Sequence, residues 1–135
     1  MFTEINAQLL KDNSGSVEPQ KRWFRDADSE CDLFVWMDKN RQMTKFQFWL
    51  KDLLLEWDRH DGLKTGKLDD ESGSFHSIQT PVYSYHLTMH KGILPLVYRL
   101  LKQEVSRQES NRLFRKILAT LEDSYIQARY PGKNS

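Results

Sequence analysis

Between residues 33 and 58 apolar and polar side chains alternate with a period of two. Leu33, Val35 and Met37 are followed by Phe46, Phe48 and Leu50, and then by Leu53, Leu55 and Trp57. This period marks β-strands with one buried face. Residues 33–38 and 43–50 are rich in aromatic and branched side chains, and Asp38-Lys-Asn-Arg-Gln between them suits a turn. Residues 53–58 form a third run after Lys51-Asp52. Pairing Asp38 with Met43 and Leu50 with Leu53 sets Val35 opposite Phe46 and Leu33 opposite Phe48. It also sets Phe46 opposite Trp57 and Phe48 opposite Leu55. One face then collects all nine of the apolar residues just named. The other face holds Lys45 beside Asp58, Gln47 beside Glu56, and also Phe34, Trp36, Trp49 and Leu54. A slip of one residue would mix these two sets, so the register is strongly specified. The weakest point is the Lys51-Asp52 turn, which lacks the glycine that two-residue hairpin loops prefer.

The flanks read more coarsely. Residues 21–25 suit a strand leading in, and 81–88 suit a further strand, with Tyr83, Tyr85 and Leu87 alternating against Ser84 and His86. Residues 59–80 are polar, contain Gly62, Gly66 and Gly73, and read as a long excursion. Near the start, Thr3 as an N-cap with Phe2, Ile5 and Leu9 on one side predicts a short helix over 3–11. Asn13-Ser-Gly-Ser and Pro19 follow as a linker. In the last third, Ile93, Leu94, Val97, Leu101 and Val105 recur at helical spacing, with Pro95 tolerable in a first turn. Ser106 and Glu109 match a capping box, which places a bend or a new helix there. Leu113, Phe114, Ile117, Leu118, Leu121 and Tyr125 form the next stripe, ended by Pro131-Gly132. Strands followed by helices favour an α+β fold. The expectation is an antiparallel meander of about four to five strands, two C-terminal helices on one face, and a short N-terminal helix. One domain over 1–135 is expected: an N-terminal helix and linker (1–20), a sheet with a long loop (21–90, loop 59–80), and helices (91–130).

Charge changes the picture in one respect. The net charge is only +1, yet residues 1–90 hold 11 Lys/Arg and 15 Asp/Glu while 91–135 hold 9 and 4. The helical third is therefore basic. Cys31 is alone, so no internal disulfide is possible. The first ten residues do not form a signal peptide, and no stretch is long and apolar enough to span a membrane. These features fit a cytoplasmic protein without membrane partners.

The run Arg22-Trp23-Phe24, Asp32-Leu-Phe-Val-Trp36, Asp38, Phe46-Gln47, Trp57 and Thr65-Gly66 resembles a family of small uncharacterised bacterial proteins over residues 21–81. The resemblance implies no activity. The chain departs from that pattern in having a short stretch after Phe48 and no histidine next to the Thr-Gly pair.

Candidate chemistry is sparse. Asp26, Asp28, Glu30 and Asp32 alternate as in a calcium loop, but Cys31 stands where the sharp turn needs glycine and Met37 where a bidentate Glu belongs. His86 and His90 are four apart without the Glu of the helical zinc motif, and His60 and His76 fit no ligand spacing. No nucleophile elbow or P-loop is present. No cofactor, metal or catalytic residue is therefore assigned. Two surfaces remain. The aromatic sheet face, with Phe34, Trp36, Trp49 and Leu54, suits protein binding, because tryptophan is favoured at binding hot spots. The basic helices, with Arg107, Arg112, Arg115 and Lys116, suit nucleic acid.

The leading expectation is thus a non-enzymatic adaptor or self-associating domain whose partner is another protein or a second copy of itself. The alternatives are a nucleic-acid-associated protein, and a metal-dependent or acid/base enzyme using residues 56–76.

Overall fold

The structure, a computed structural model, describes residues 1–5, 20–68, 83–107 and 112–129, with side chains to 124. The alternating segment is a meander, as its period requires. Strands β1 (Thr3–Glu4), β2 (Gln20–Asp26), β3 (Cys31–Met37), β4 (Met43–Leu50), β5 (Leu53–Asp58), β6 (Gly62–Leu68) and β7 (Tyr83–Tyr85) pair antiparallel in chain order. Val35 pairs with Phe46 and Leu33 with Phe48, while Phe46 pairs with Trp57 and Leu50 with Leu53. The one departure is a shift between Trp36 and Met37, which puts Met37 instead of Asp38 opposite Met43. Asp38 is drawn into the turn, where its Oδ1 accepts the Asn40 and Gln42 N–H groups at 2.8 and 2.9 Å. The Lys51-Asp52 turn forms without glycine, with Lys51 at φ 58°. Neighbouring chain holds it from both sides: Lys51 N–H donates to the Glu30 carbonyl at 3.3 Å, and the Asp52 carbonyl accepts Leu68 N–H at 2.8 Å.

Three expectations need correction. Among the described residues the sheet has seven strands, not four to five. Residues 62–68, read as part of a polar excursion, form β6 along the whole of β5. Its glycines have strand-specific causes. Gly62 takes φ +78° at the turn, and a Cβ on Gly66 would lie 2.7 Å from the Ser84 carbonyl oxygen of β7. Glycine in a strand often marks such close backbone approach. The third correction is at the start of the chain. Thr3 and Glu4 pair with Arg25 and Phe24 as β1, and Ile5 N–H donates to the Trp23 carbonyl at 2.8 Å, so no helix begins at Thr3. The rest of the predicted helix, the linker, and residues 69–80 of the predicted loop lie outside the described residues.

Helices α1 (Ile93–Arg107) and α2 (Arg112–Arg129) follow the sheet. Their apolar stripes supply Ile93, Leu94, Val97, Leu101, Phe114, Ile117 and Leu121 to one core with Leu33, Val35, Phe46, Phe48 and Leu55. Phe2 sits inside that core, its ring 5.8 Å from Phe48 and 5.5 Å from Phe114. Its amide donates to Oε1 of buried Glu104 in α1 at 3.1 Å, which ties the first strand to the helical layer. Tyr98 of α1 donates its hydroxyl to Glu122 of α2 at 2.8 Å, so the helices run antiparallel. No described helix is long and apolar enough to cross a membrane.

Candidate functional site

The strand alternation that fills the core also gathers a second cluster on the other side of the sheet. Phe34, Trp49, Leu54 and Leu68 are its buried members, with Trp23, Trp36 and Tyr83 packed against them. Trp23, Phe34 and Trp36 run in a row, Trp23 stacking on Phe34 at 5.5 Å and Phe34 meeting Trp36 at 6.3 Å, and Trp49 separately meets Tyr83 edge-on at 5.5 Å. All four residues expected to form the aromatic face do share that face. Three of them are buried, with Trp49 and Leu54 at 0% exposure and Phe34 at 8%, while Trp36 is only half-buried. Two ammonium groups flank Trp36. Lys45 Nζ lies 4.8 Å from its centroid and Lys21 Nζ 5.1 Å, with Lys21 also 4.9 Å from Phe34. Cations at this range are attracted by the ring quadrupole. Burial pushes the Lys21 ammonium below its ordinary pKa, and nearby Lys45 adds to that shift.

Next to this row lies a polar centre built on Glu56, which is 2% exposed. Its Oε2 accepts the Tyr85 hydroxyl at 2.6 Å. Its Oε1 accepts Gln47 Nε2 at 2.8 Å, with Lys45 Nζ at 3.9 Å and the Tyr83 hydroxyl at 3.4 Å. Gln47 also donates to the Tyr83 hydroxyl at 3.0 Å and accepts Trp49 Nε1–H at 3.3 Å. No buried side-chain polar atom among the described residues lacks a partner. A fully satisfied network of this kind rigidifies its surroundings. Burial, followed by the bond to Glu56, raises the Tyr85 hydroxyl pKa far above its ordinary value. The sequence showed Gln47 beside Glu56 but not the tyrosines above them, which arrive from β7, more than 25 residues further along the chain.

The remaining candidates resolve separately. Thr65 Oγ1 lies 2.9 Å from His86 Nδ1 and accepts His90 N–H at 2.8 Å, and the two imidazoles stand 5.7 Å apart. A histidine absent beside Thr65-Gly66 in sequence is thus present there in space. No group of three or more His, Cys, Asp or Glu suited to a metal occurs among the described residues. His76 lies outside them, and His60 caps the β5–β6 turn with its N–H on Asp58 Oδ1 at 2.7 Å. That bond, with a second from Asp61, holds the Asp58 carboxyl below its ordinary pKa.

In the acidic turn the carboxylates diverge instead of converging. Asp26 takes Ser29 Oγ at 3.1 Å and the N-terminal ammonium at 3.4 Å, whereas Asp32 takes Trp23 Nε1 at 2.8 Å and Arg25 at 2.6 Å. Cys31 is fully buried, and burial with nearby Asp26 and Asp32 pushes its thiol up to about 12. It is no nucleophile at neutral pH, since the thiolate is the reactive form.

Arg107, Arg112, Arg115 and Lys116 are all exposed on the helices, and Lys116 Nζ lies 3.5 Å from Gln42 Oε1. No known family model matches this chain, and neither does any curated protein or solved structure.

Proposed function

We propose that the protein is a non-enzymatic protein-binding domain that engages its partner through the Trp36 rim of the outer sheet face. The observation that carries this reading is the contrast within one aromatic cluster. Phe34 and Trp49 are buried as a floor, while Trp36, part-buried like Trp23, stands between Lys21 and Lys45. An apolar anchor with a charged rim is the usual anatomy of a recognition patch. The Glu56 network beside it, which takes in Trp49 through Gln47, orders this face, and a surface ordered beforehand loses less entropy on binding. Lysines around the ring favour a partner that carries carboxylates around an apolar side chain.

The test compares wild type with Trp36→Ala. Native extract passed over each immobilised protein should show a partner held by wild type and lost from the variant, a loss of more than about 1 kcal/mol in affinity. Sedimentation of the free protein identifies the case in which the partner is a second copy. Equal retention by both proteins, together with identical sedimentation, would remove Trp36 from any role in association.

A further inference from the structure

Of the arginines in the sheet layer, Arg22 pairs with Glu4 at 2.8 Å, Arg25 with Asp32 at 2.6 Å, and Arg59, just beyond β5, with Asp38 at 3.5 Å, while Arg41 in the β3–β4 turn is exposed without an ion pair among the described residues. On the helices, none of Arg99, Arg107, Arg112 and Arg115 makes an ion pair or hydrogen bond among the described residues, and all four are exposed. The nearby helix carboxylates are engaged elsewhere, with Glu104 buried against the Phe2 amide and Glu122 accepting the Tyr98 hydroxyl.

One face of α1 is an open, shallow surface lined by Pro95, Tyr98, Arg99, Lys102 and Arg107, with Gln103 and Ser106 between them. Every charged group among these lining residues is cationic. The Lys102 ammonium stands 5.4 Å over the Tyr98 ring, which its bond to Glu122 holds in place. At 1.5 Å per residue, Arg99 and Arg107 are about 12 Å apart along the helix axis, with Lys102 between them.

We propose that this helix face binds the phosphate backbone of nucleic acid, independently of base sequence. A small anion needs an enclosing pocket. A repeating polyanion needs only a row of cations along an open face. Guanidinium groups suit phosphate because they bond it through two parallel N–H groups, and the Gln103 amide and Ser106 hydroxyl add neutral donors. The site is separate from the Trp36 rim, and each stands or falls without the other.

Fluorescence anisotropy with a short labelled single-stranded oligonucleotide tests the proposal, with a polyglutamate peptide as competitor. The three cations of this face should give a slope of log K against log salt near −2, at about 0.7 per neutralised phosphate, so that a fourfold rise in salt weakens binding by about 20-fold. The double variant Arg99→Glu/Lys102→Glu should lose about tenfold or more in affinity and flatten the slope by about 1.4. Arg99→Gln/Lys102→Gln should lose less while flattening the slope similarly, which covers the case in which charge reversal disturbs folding. Lys39→Glu/Lys67→Glu makes the same change in net charge on the sheet, and with Trp36→Ala it should bind as wild type. Equal loss in the Lys39/Lys67 variant would reduce the effect to overall charge and overturn the site. So would displacement of the oligonucleotide by polyglutamate at matched charge, or no binding at low salt.

Discussion

The Tyr85 hydroxyl, on the last strand of the sheet, donates a 2.6 Å hydrogen bond to Glu56 two strands away. This bond closes the polar centre of the outer face over a carboxylate that is 2% exposed. Removing the hydroxyl with Tyr85→Phe should cost about 1.5–3 kcal/mol, the usual range for a bond to a charged group. The pH dependence carries its own signature. The folded pKa of Tyr85 is raised, so its contribution is complete below the unfolded tyrosine value of about 10 and is lost as pH climbs beyond it. Urea unfolding from pH 7 to 11 should show an alkaline decline that is shallower in the Phe variant. Parallel declines in the two proteins would mean that the bond does not couple to folding.

Gly66 lies opposite Tyr85, where a Cβ would stand 2.7 Å from the Ser84 carbonyl oxygen. The obstacle is backbone, so it cannot rotate away. Gly66→Ala should push β7 off the sheet edge and destabilise the fold by about 1–3 kcal/mol, as overpacking does. Hydrogen exchange at the His86 amide, which bonds the Thr65 carbonyl at 2.9 Å, reports this directly. Unchanged protection there would show that the edge tolerates the methyl group.

Trp49 and Trp36 occupy the same sheet face with different burial. Trp49→Ala should behave like the core variant Phe46→Ala, each losing about 3–5 kcal/mol. Trp36→Ala should lose clearly less, because part of its ring already contacts solvent. Chemical denaturation of the three variants decides this, and an equal loss for both tryptophans would show that the rim is as essential to the core as the floor.

Asp26 adds an acid-sensitive contact. Burial raises its carboxyl pKa, but the Ser29 hydroxyl, the N-terminal ammonium and the Asp28 amide outweigh that and lower it overall. A lowered folded value contributes stability that is present above the unfolded value, 3.8, and lost as pH falls below it. Asp26→Asn should therefore be less stable than wild type at pH 6 and should lose less between pH 4 and 2. Thermal melts across that range would show the two curves converging on the acid side, and curves that stay parallel would remove Asp26 from the acid response.

How much of this was legible in the chain differs by element. The register of β3, β4 and β5 was readable because side-chain direction follows from position alone, and one slip would have placed Gln47 and Glu56 in the core. β6 was missed because Gly62 and Gly66 imitate a loop, although Leu63 and Thr65 alternate correctly against Lys64. The reason for Gly66 is the backbone of β7, a segment its own neighbours do not reveal. The predicted start of a helix at Thr3 failed for a similar reason. Phe2 has helical company in Ile5 and Leu9, but its ring is claimed by Phe48 and Phe114.

By itself the sequence determined the two sides of the sheet, the order of strands before helices, and the basic character of the helical third, because each depends on the period or count of nearby residues. The tertiary structure alone decided which outer-face rings are buried and which stay partly open. Trp49 is met edge-on by Tyr83, and Glu56 by Tyr85. Partners so distant along the chain leave no local pattern, since their meeting depends on how the intervening chain closes and not on any neighbouring residue.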